Sequence, residues 1–222
     1  MVCDLKIGAG AYNAHDIAFF ARMHPVTVRR WFFGSNMGRP IVEGQDRERF
    51  MTFLDFMQAV AVRNLRVKHH VHLDTIREAI TYAKNEFDMD HPFARKHVTY
   101  LDGRNILIQP AEHTAPVGAT GRVKGQHVIK RVLEQYLEDV SFDPNSGLAT
   151  RYMAYQFKDR RIVMDPEIHF GQPYVDNTGI TAARLAAAVD EEGSRDAAAS
   201  AFGVSLDDVE AAARYIDSLQ AA

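Results

Sequence analysis

A single cysteine, Cys3, stands in 222 residues, which excludes an internal disulfide and any zinc site built from cysteines. Long apolar runs are missing too: no stretch approaches the ~18 uninterrupted apolar residues that a membrane-spanning helix needs. The opening MVCDLKIGAGAYN has neither a basic leader nor an apolar segment of export length, so cytoplasm is the expected location. No glycine-rich loop runs into Lys-Ser/Thr and no Gly-x-Ser-x-Gly elbow occurs, which removes two common phosphate-binding and nucleophile signatures. Gly8-Ala9-Gly10 is too short for such a loop and precedes a helical pattern rather than following a strand. Despite ten histidines, no pair sits at i and i+4 on a helix beside a glutamate, the spacing of a catalytic zinc site. His69, His70 and His72 read instead as a solvated turn between two helices, with one of them a candidate cap for the second. These absences argue against an enzyme, and no metal or cofactor is expected.

What is there is an ordinary globular composition, 46% apolar and 25% charged, long enough for one large domain or two to three small ones. The net charge of −3 is unevenly spread. From Met1 to Pro40 five cations (Lys6, Arg22, Arg29, Arg30, Arg39) stand against Asp4 and Asp16. From Ile180 to Ala222 three arginines stand against eight carboxylates. A basic front and an acidic back imply surfaces suited to different partners.

Asn13 is a good helix cap, and Ala14, Ile17, Ala18 and Ala21 recur at helical spacing. After Arg22-Met23-His24, Pro25 sits at a first helical position, with Val28, Trp31 and Phe32 as an apolar stripe. Two short helices joined by such a turn make a helix-turn-helix. Phe33 to Arg49 is rich in Gly and Pro and is predicted as loop or a small hairpin. Thr52, with Asp55 three residues on, predicts a capped helix that turns Phe53, Phe56, Met57 and Val60 inward. Leu73 to Phe87 predicts another. In the middle third, Val98–Leu101 and Ile106–Ile108 flank an Asp102-Gly103 turn. A loop over 110–125 follows, and the spacing of Val128, Ile129, Val132, Leu133, Tyr136 and Leu137 predicts a helix from Gln126 to about Asp139. Asp143 to Gly147 is a turn cluster and candidate linker. A strand pair, Arg151–Phe157 and Arg161–Met164 around Lys158-Asp159-Arg160, leads to helices opened by Thr181, Ser194 and Ser205. The predicted fold is mainly α with small β-hairpins (α+β). It has three segments: a helix-turn-helix region over 1–90, a hairpin and helix over 91–158, and a three-helix region over 159–222.

The basic helix is the informative feature. In His24-Pro-Val-Thr-Val-Arg-Arg-Trp31, Val26, Thr27 and Arg30 are expected to face outward while Val28 and Trp31 point to the core. Arg29 and Arg30 can each hold a phosphate, or give a bidentate contact to guanine worth ~1–3 kcal/mol of discrimination. Arg39, in the Gly/Pro loop, and Arg47 behind it stand where a wing would brush the DNA backbone. Against a plain surface arginine pair, this combination favours DNA. At the other end, the last helix opens Ser205-Leu-Asp207-Asp208-Val-Glu210, and three carboxylates there repel phosphate. That end is read either as a bundle that dimerises through alanine-rich faces or as a protein-binding surface.

The strings Tyr12-Asn13-Ala-His-Asp-Ile-Ala18 and Met23-His24-Pro25-Val-Thr27-Val28-Arg29-Arg30-Trp31, with Phe53-Leu-Asp-Phe56 and Val71 to Ala79, resemble the four helices of a MerR-type winged helix-turn-helix. The likeness runs from about Gly8 to Phe87. It departs at Arg22, where glycine is usual, and at His24, where serine or another good cap is usual. Arg161-Ile-Val-Met-Asp165-Pro166 and Phe170-Gly171-Gln-Pro173, continued through Thr178-Gly-Ile180 and Ser194 to Ala213, resemble a small helical family first catalogued as a domain of unknown function. Asn177 stands where that family usually has glycine, and Gly179 where it has arginine; Asn and Gly both tolerate positive φ. Chains with both ends resemble VapB-type antitoxins. The resemblance implies a dimer that binds double-stranded operator DNA through the front. It further implies a rear that docks on a PIN-like ribonuclease toxin and covers its metal-dependent cleft, with Arg184, Asp207, Asp208 and Glu210 as the expected contacts. Two alternatives stay open: a stand-alone MerR-like regulator whose middle region (Val98 to Phe142) senses a small molecule, and a metal-dependent hydrolase that uses the histidines.

Overall fold

The computed structural model describes residues 9–34, 40–41, 50–96, 98–102, 105–109, 117–118, 129–132 and 138–221. Side-chain caps set where its helices start. Asn13 Oδ1 accepts from the backbone N–H of His15 and Asp16, and Asp16 returns a bond to Asn13, opening α1 (Ala14–Phe20). Thr52 and Asp55 close the same reciprocal box on α3 (Phe53–Val67). Between them α2 (Pro25–Phe33) carries proline at its first turn, and α4 (Leu73–Phe87) follows after the histidine-containing turn. Thr181, Ser194 and Ser205 cap α5 (Ala182–Glu192), α6 (Arg195–Phe202) and α7 (Leu206–Gln220). Gly193 and Gly203 end α5 and α6 in the left-handed region that favours glycine. With two antiparallel sheets alongside, the α+β class expected from the sequence is the one observed.

The chain divides into two compact units, Tyr12–Ala149 and Thr150–Ala222, the latter together with the first residues up to Ala11. In the Tyr12–Ala149 unit the core gathers on α3. Tyr12 pairs its backbone with Met51 and stacks its ring on Phe56, with centroids 5.7 Å apart. Beyond α4, β1 (Val98–Asp102) pairs with β2 (Asn105–Gln109), with Asp102 opposite Asn105. The expected hairpin is therefore present, but Asp102 is its last strand residue; Gly103 lies outside the described residues. β2 also pairs with β3 (Val117–Gly118), a short strand where loop was expected. Ile106 and Ile108, two apart on β2, are both buried.

The helix predicted from Gln126 to Asp139 is a correction. Ile129–Val132 form strand β4, paired antiparallel with β1 from Thr99 opposite Val132 to Asp102 opposite Ile129. Apolar residues three apart in so short a run fit either structure. The pairing with β1 decides, because it satisfies backbone groups on both strands, and Ile129 and Val132 are β-branched. β5 (Val140–Phe142) follows, and the Asp143 carboxylate then accepts from the N–H of Asn145 and Ser146, making the predicted turn.

In the Thr150–Ala222 unit, β6 (Ala149–Phe157), β7 (Arg160–Met164), β8 (Tyr174–Val175) and β9 (Ile180–Thr181) follow one another in an antiparallel ladder. Phe157 lies opposite Arg160, so the turn is the two residues Lys158-Asp159, with Lys158 at φ 52. α7 packs on β7 and α5, and the alanines at 188, 198, 211 and 212 are buried where the helices meet. Small side chains there let backbones approach closely.

One buried acid gives the Tyr12–Ala149 unit an acid sensitivity. Asp55 is 2% exposed, and its Oδ1 lies 2.9 Å from His91 Nε2 while its Oδ2 accepts from Thr52 N and Oγ1. Burial pushes this carboxyl up, but the bond and charge of His91 and the two Thr52 bonds outweigh it and hold the group below its ordinary value. A depressed folded-state pKa means the contribution is complete above the unfolded carboxyl value of about 3.9 and is lost as pH falls further through the folded value. Asp55→Asn is expected to be less stable at pH 7 and to have a flatter stability profile below about pH 4. Urea midpoints across pH check this; parallel profiles for the two proteins would count against it.

Candidate functional site

α1, the turn Ala21–His24 and α2 place the sequence-predicted basic residues. Arg22 lies at φ 53 in the turn, the left-handed conformation in which glycine carries no penalty. His24 caps α2: its Nδ1 accepts from Val26 N at 3.2 Å, a role that serine or asparagine more often fills. Val28, Trp31 and Phe32 are buried. Val26, Arg29 and Arg30 are exposed, and Thr27 is half-buried. At offsets of three and four, Val26, Arg29 and Arg30 share one face of α2. Neither the Arg29 nor the Arg30 guanidinium has an ion pair or hydrogen bond among the described residues. Arg39 and Arg47, the other expected DNA contacts, lie outside those residues.

Most cations of the Thr150–Ala222 unit are arranged otherwise, the exposed Arg161 excepted. Lys158 Nζ bonds Asp207 at 2.6 Å. Arg160 Nε lies 3.0 Å from Asp208 Oδ1. Glu210 takes Arg214 on one oxygen at 2.6 Å and Arg195 on the other at 3.0 Å. Arg184 bonds Glu191 at 2.7 Å and lies over the Phe202 ring, and Arg151 pairs with Asp176. All four residues expected to meet a partner, Arg184, Asp207, Asp208 and Glu210, thus carry ion partners inside their own unit. Asp208 is 2% exposed and serves as the third residue of the Ser205 capping box. Asn177, which is not among the residues of positive φ, donates to Asp208 Oδ1 at 3.1 Å; Gly179 is the one at φ 69.

Sequence reasoning did not single out the display of Phe170. His169, Phe170 and Gly171 all take positive φ (48, 56 and 86), and the Phe170 ring is left 70% exposed. Ala11 N donates to Phe170 O and Gly171 N to Ile168 O, while His169 Nε2 lies 2.6 Å from Gly179 O, so the surroundings over-determine the turn. The one local signal was glycine directly after Phe170, a mark of tight backbone.

Among the described residues, no group of three His, Cys, Asp or Glu is placed to share a metal ion, and no helix is long and apolar enough to cross a membrane. His70 takes φ 53, and His72 stands at the start of α4 without a side-chain cap bond, so the expected capping role is not taken up by it.

Residues 162–216 match the model of a family described as protein of unknown function, DUF433, inside the stretch whose resemblance begins at Arg161. "Putative antitoxin VapB45" of Mycobacterium tuberculosis (strain ATCC 25618 / H37Rv) is 32% identical over 83 residues, 37% of this chain and 34% of that protein. The match thus spans about a third of the relative's length. Among solved structures, the X-ray crystal structure of Rv2018 from Mycobacterium tuberculosis has a TM-score of 0.65 and 18% identity, covering 94% of this chain and 99% of that chain. That is a likeness of fold.

Proposed function

We propose that this chain is an antitoxin and transcriptional autorepressor: a dimer that binds operator DNA through α1, its turn and α2, acting as a MerR-like helix-turn-helix, and neutralises a PIN-like ribonuclease through its C-terminal unit. The observation that carries the DNA half is a contrast. In the C-terminal unit five arginines, at 151, 160, 184, 195 and 214, pair with carboxylates, and the exposed Arg161 alone does not among the described residues. On α2, Arg29 and Arg30 stand exposed with no carboxylate beside them among the described residues. Unneutralised guanidinium pairs on a helix face suit the phosphates and guanine edges of a major groove. Arg39 and Arg47 belong to the proposal as further backbone contacts. A two-fold dimer reads two half-sites about one helical turn apart, so the operator is pseudo-palindromic. The antitoxin half is supported by the match to the VapB45 relative and the DUF433 family.

The test is titration of a duplex selected by the chain from a random pool. Arg29→Ala/Arg30→Ala is expected to lose roughly tenfold in affinity for each guanidinium removed, and to flatten the salt dependence by about 0.9 in log–log slope for each phosphate no longer neutralised. Both side chains are exposed, so thermal stability stays close to that of the parent. Unchanged affinity and slope would remove the proposal's foundation.

A further inference from the structure

Resting on that reading, we infer that Val26 is the specificity residue of α2 and that what it reads is the 5-methyl group of thymine. Val26 is 63% exposed and lies one turn before Arg29 and Arg30 on the same face, so a surface that receives those guanidiniums also receives this side chain. Valine gains little for the helix there: β-branching lowers helix propensity, and a side chain exposed to this extent buries little area. It has no hydrogen-bonding atom, so it cannot address guanine, cytosine or adenine by their polar edges. The one apolar group presented in the major groove is the thymine methyl. Two features make the contact inexpensive in order. A β-branched side chain in a helix already holds one strongly preferred χ1, and the Val26 N–H is fixed by His24 Nδ1 at 3.2 Å. Thr27, the neighbouring candidate, is half-buried, which leaves Val26 as the exposed apolar side chain of this turn.

The division of labour is therefore chemical. Arg29 and Arg30 supply charge and polar readout, while Val26 distinguishes thymine from every base that lacks a methyl. Deoxyuridine isolates this term, since it keeps each hydrogen-bonding atom of thymidine and removes the methyl alone.

The experiment uses the full-length chain and the duplex it selects from a random pool, with thymines replaced by deoxyuridine one position at a time. At one position in each half-site, the substitution is expected to weaken binding roughly three- to fivefold, the scale of one buried methyl group. Val26→Ala should bind the thymine and uracil duplexes equally, and about as tightly as the parent binds the uracil duplex. Val26→Ile, which keeps the branched contact, should retain the discrimination. A parent protein indifferent to uracil at every position, or a Val26→Ala variant that still discriminates, overturns the inference and leaves the role of the arginines standing. Failure of the parent to select any duplex overturns both.

Discussion

Asp208→Ala is expected to destabilise the protein by about 3–5 kcal/mol, the range found when one partner of a buried ion pair is deleted. The carboxylate is 2% exposed and fully occupied. Oδ2 accepts from Ser205 N at 2.9 Å and Ser205 Oγ at 2.7 Å, while Oδ1 takes Asn177 Nδ2 at 3.1 Å and faces Arg160 Nε at 3.0 Å. One group thus joins the start of α7 to the first residue of β7 and to the connection between β8 and β9. Its loss undoes half of a capping box, worth about 1 kcal/mol, and leaves the half-buried Arg160 guanidinium with only the exposed Asp159 carboxylate, 3.2 Å from its Nη1, which is the larger cost. Burial raises this carboxyl, but the Ser205 and Asn177 bonds and the Arg160 charge outweigh it and keep the group below its ordinary value. It is therefore ionised at neutral pH, and its stabilisation fades as pH falls through that lowered value. Asp208→Asn, which keeps the shape and an acceptor, should be less damaging than alanine. Urea unfolding of the full chain measures both variants. A loss below about 1 kcal/mol for alanine would mean that the network adds little beyond the cap.

That network also marks what a sequence does and does not disclose. The caps were legible: Asn13, Thr52, Ser194 and Ser205 act within three residues of themselves, and local spacing carries local bonds. The breaks at Pro25 and around Asp143 were legible for the same reason. Asp207, Asp208 and Glu210 looked like an unbalanced acidic tip because charge counting along the chain sees neighbours in sequence. Asp207 is matched by Lys158, 49 positions earlier, and that pairing exists only once β6, β7 and α7 are assembled. The strand at Ile129–Val132 was hidden for a related reason, since its partner lies about thirty positions earlier in β1. Phe170 escaped notice because an aromatic beside a glycine reads as core until the backbone places it outside. On α2 the inner and outer faces were legible, because a nine-residue helix sorts side chains by period alone.

Phe56→Ala is expected to cost about 3–5 kcal/mol, the range for deleting a buried aromatic side chain. Phe56 is fully buried on α3. Its ring stacks on Tyr12, with centroids 5.7 Å apart and planes 26° from parallel, and lies 6.2 Å from Phe53. Tyr12 directly precedes the cap of α1, exchanges backbone bonds with Met51 at 2.9 and 2.8 Å, and packs edge-on to Phe20 within α1. Phe56 therefore supports the segment from which α1 and, through its packing on α1, α2 are hung. Loss of the ring should loosen α2, the helix proposed to meet DNA, as well as the core. Phe56→Leu, which refills most of the volume, should recover more than half of the loss. A Tyr12→Leu/Phe56→Leu double-mutant cycle should report a coupling of about 0.5–1.5 kcal/mol beyond area burial, the usual value for an aromatic pair. Retained near-ultraviolet dichroism and a loss below about 1 kcal/mol for Phe56→Ala would mean that the unit closes over the missing ring, and that Tyr12 is held by its backbone pairing with Met51 alone.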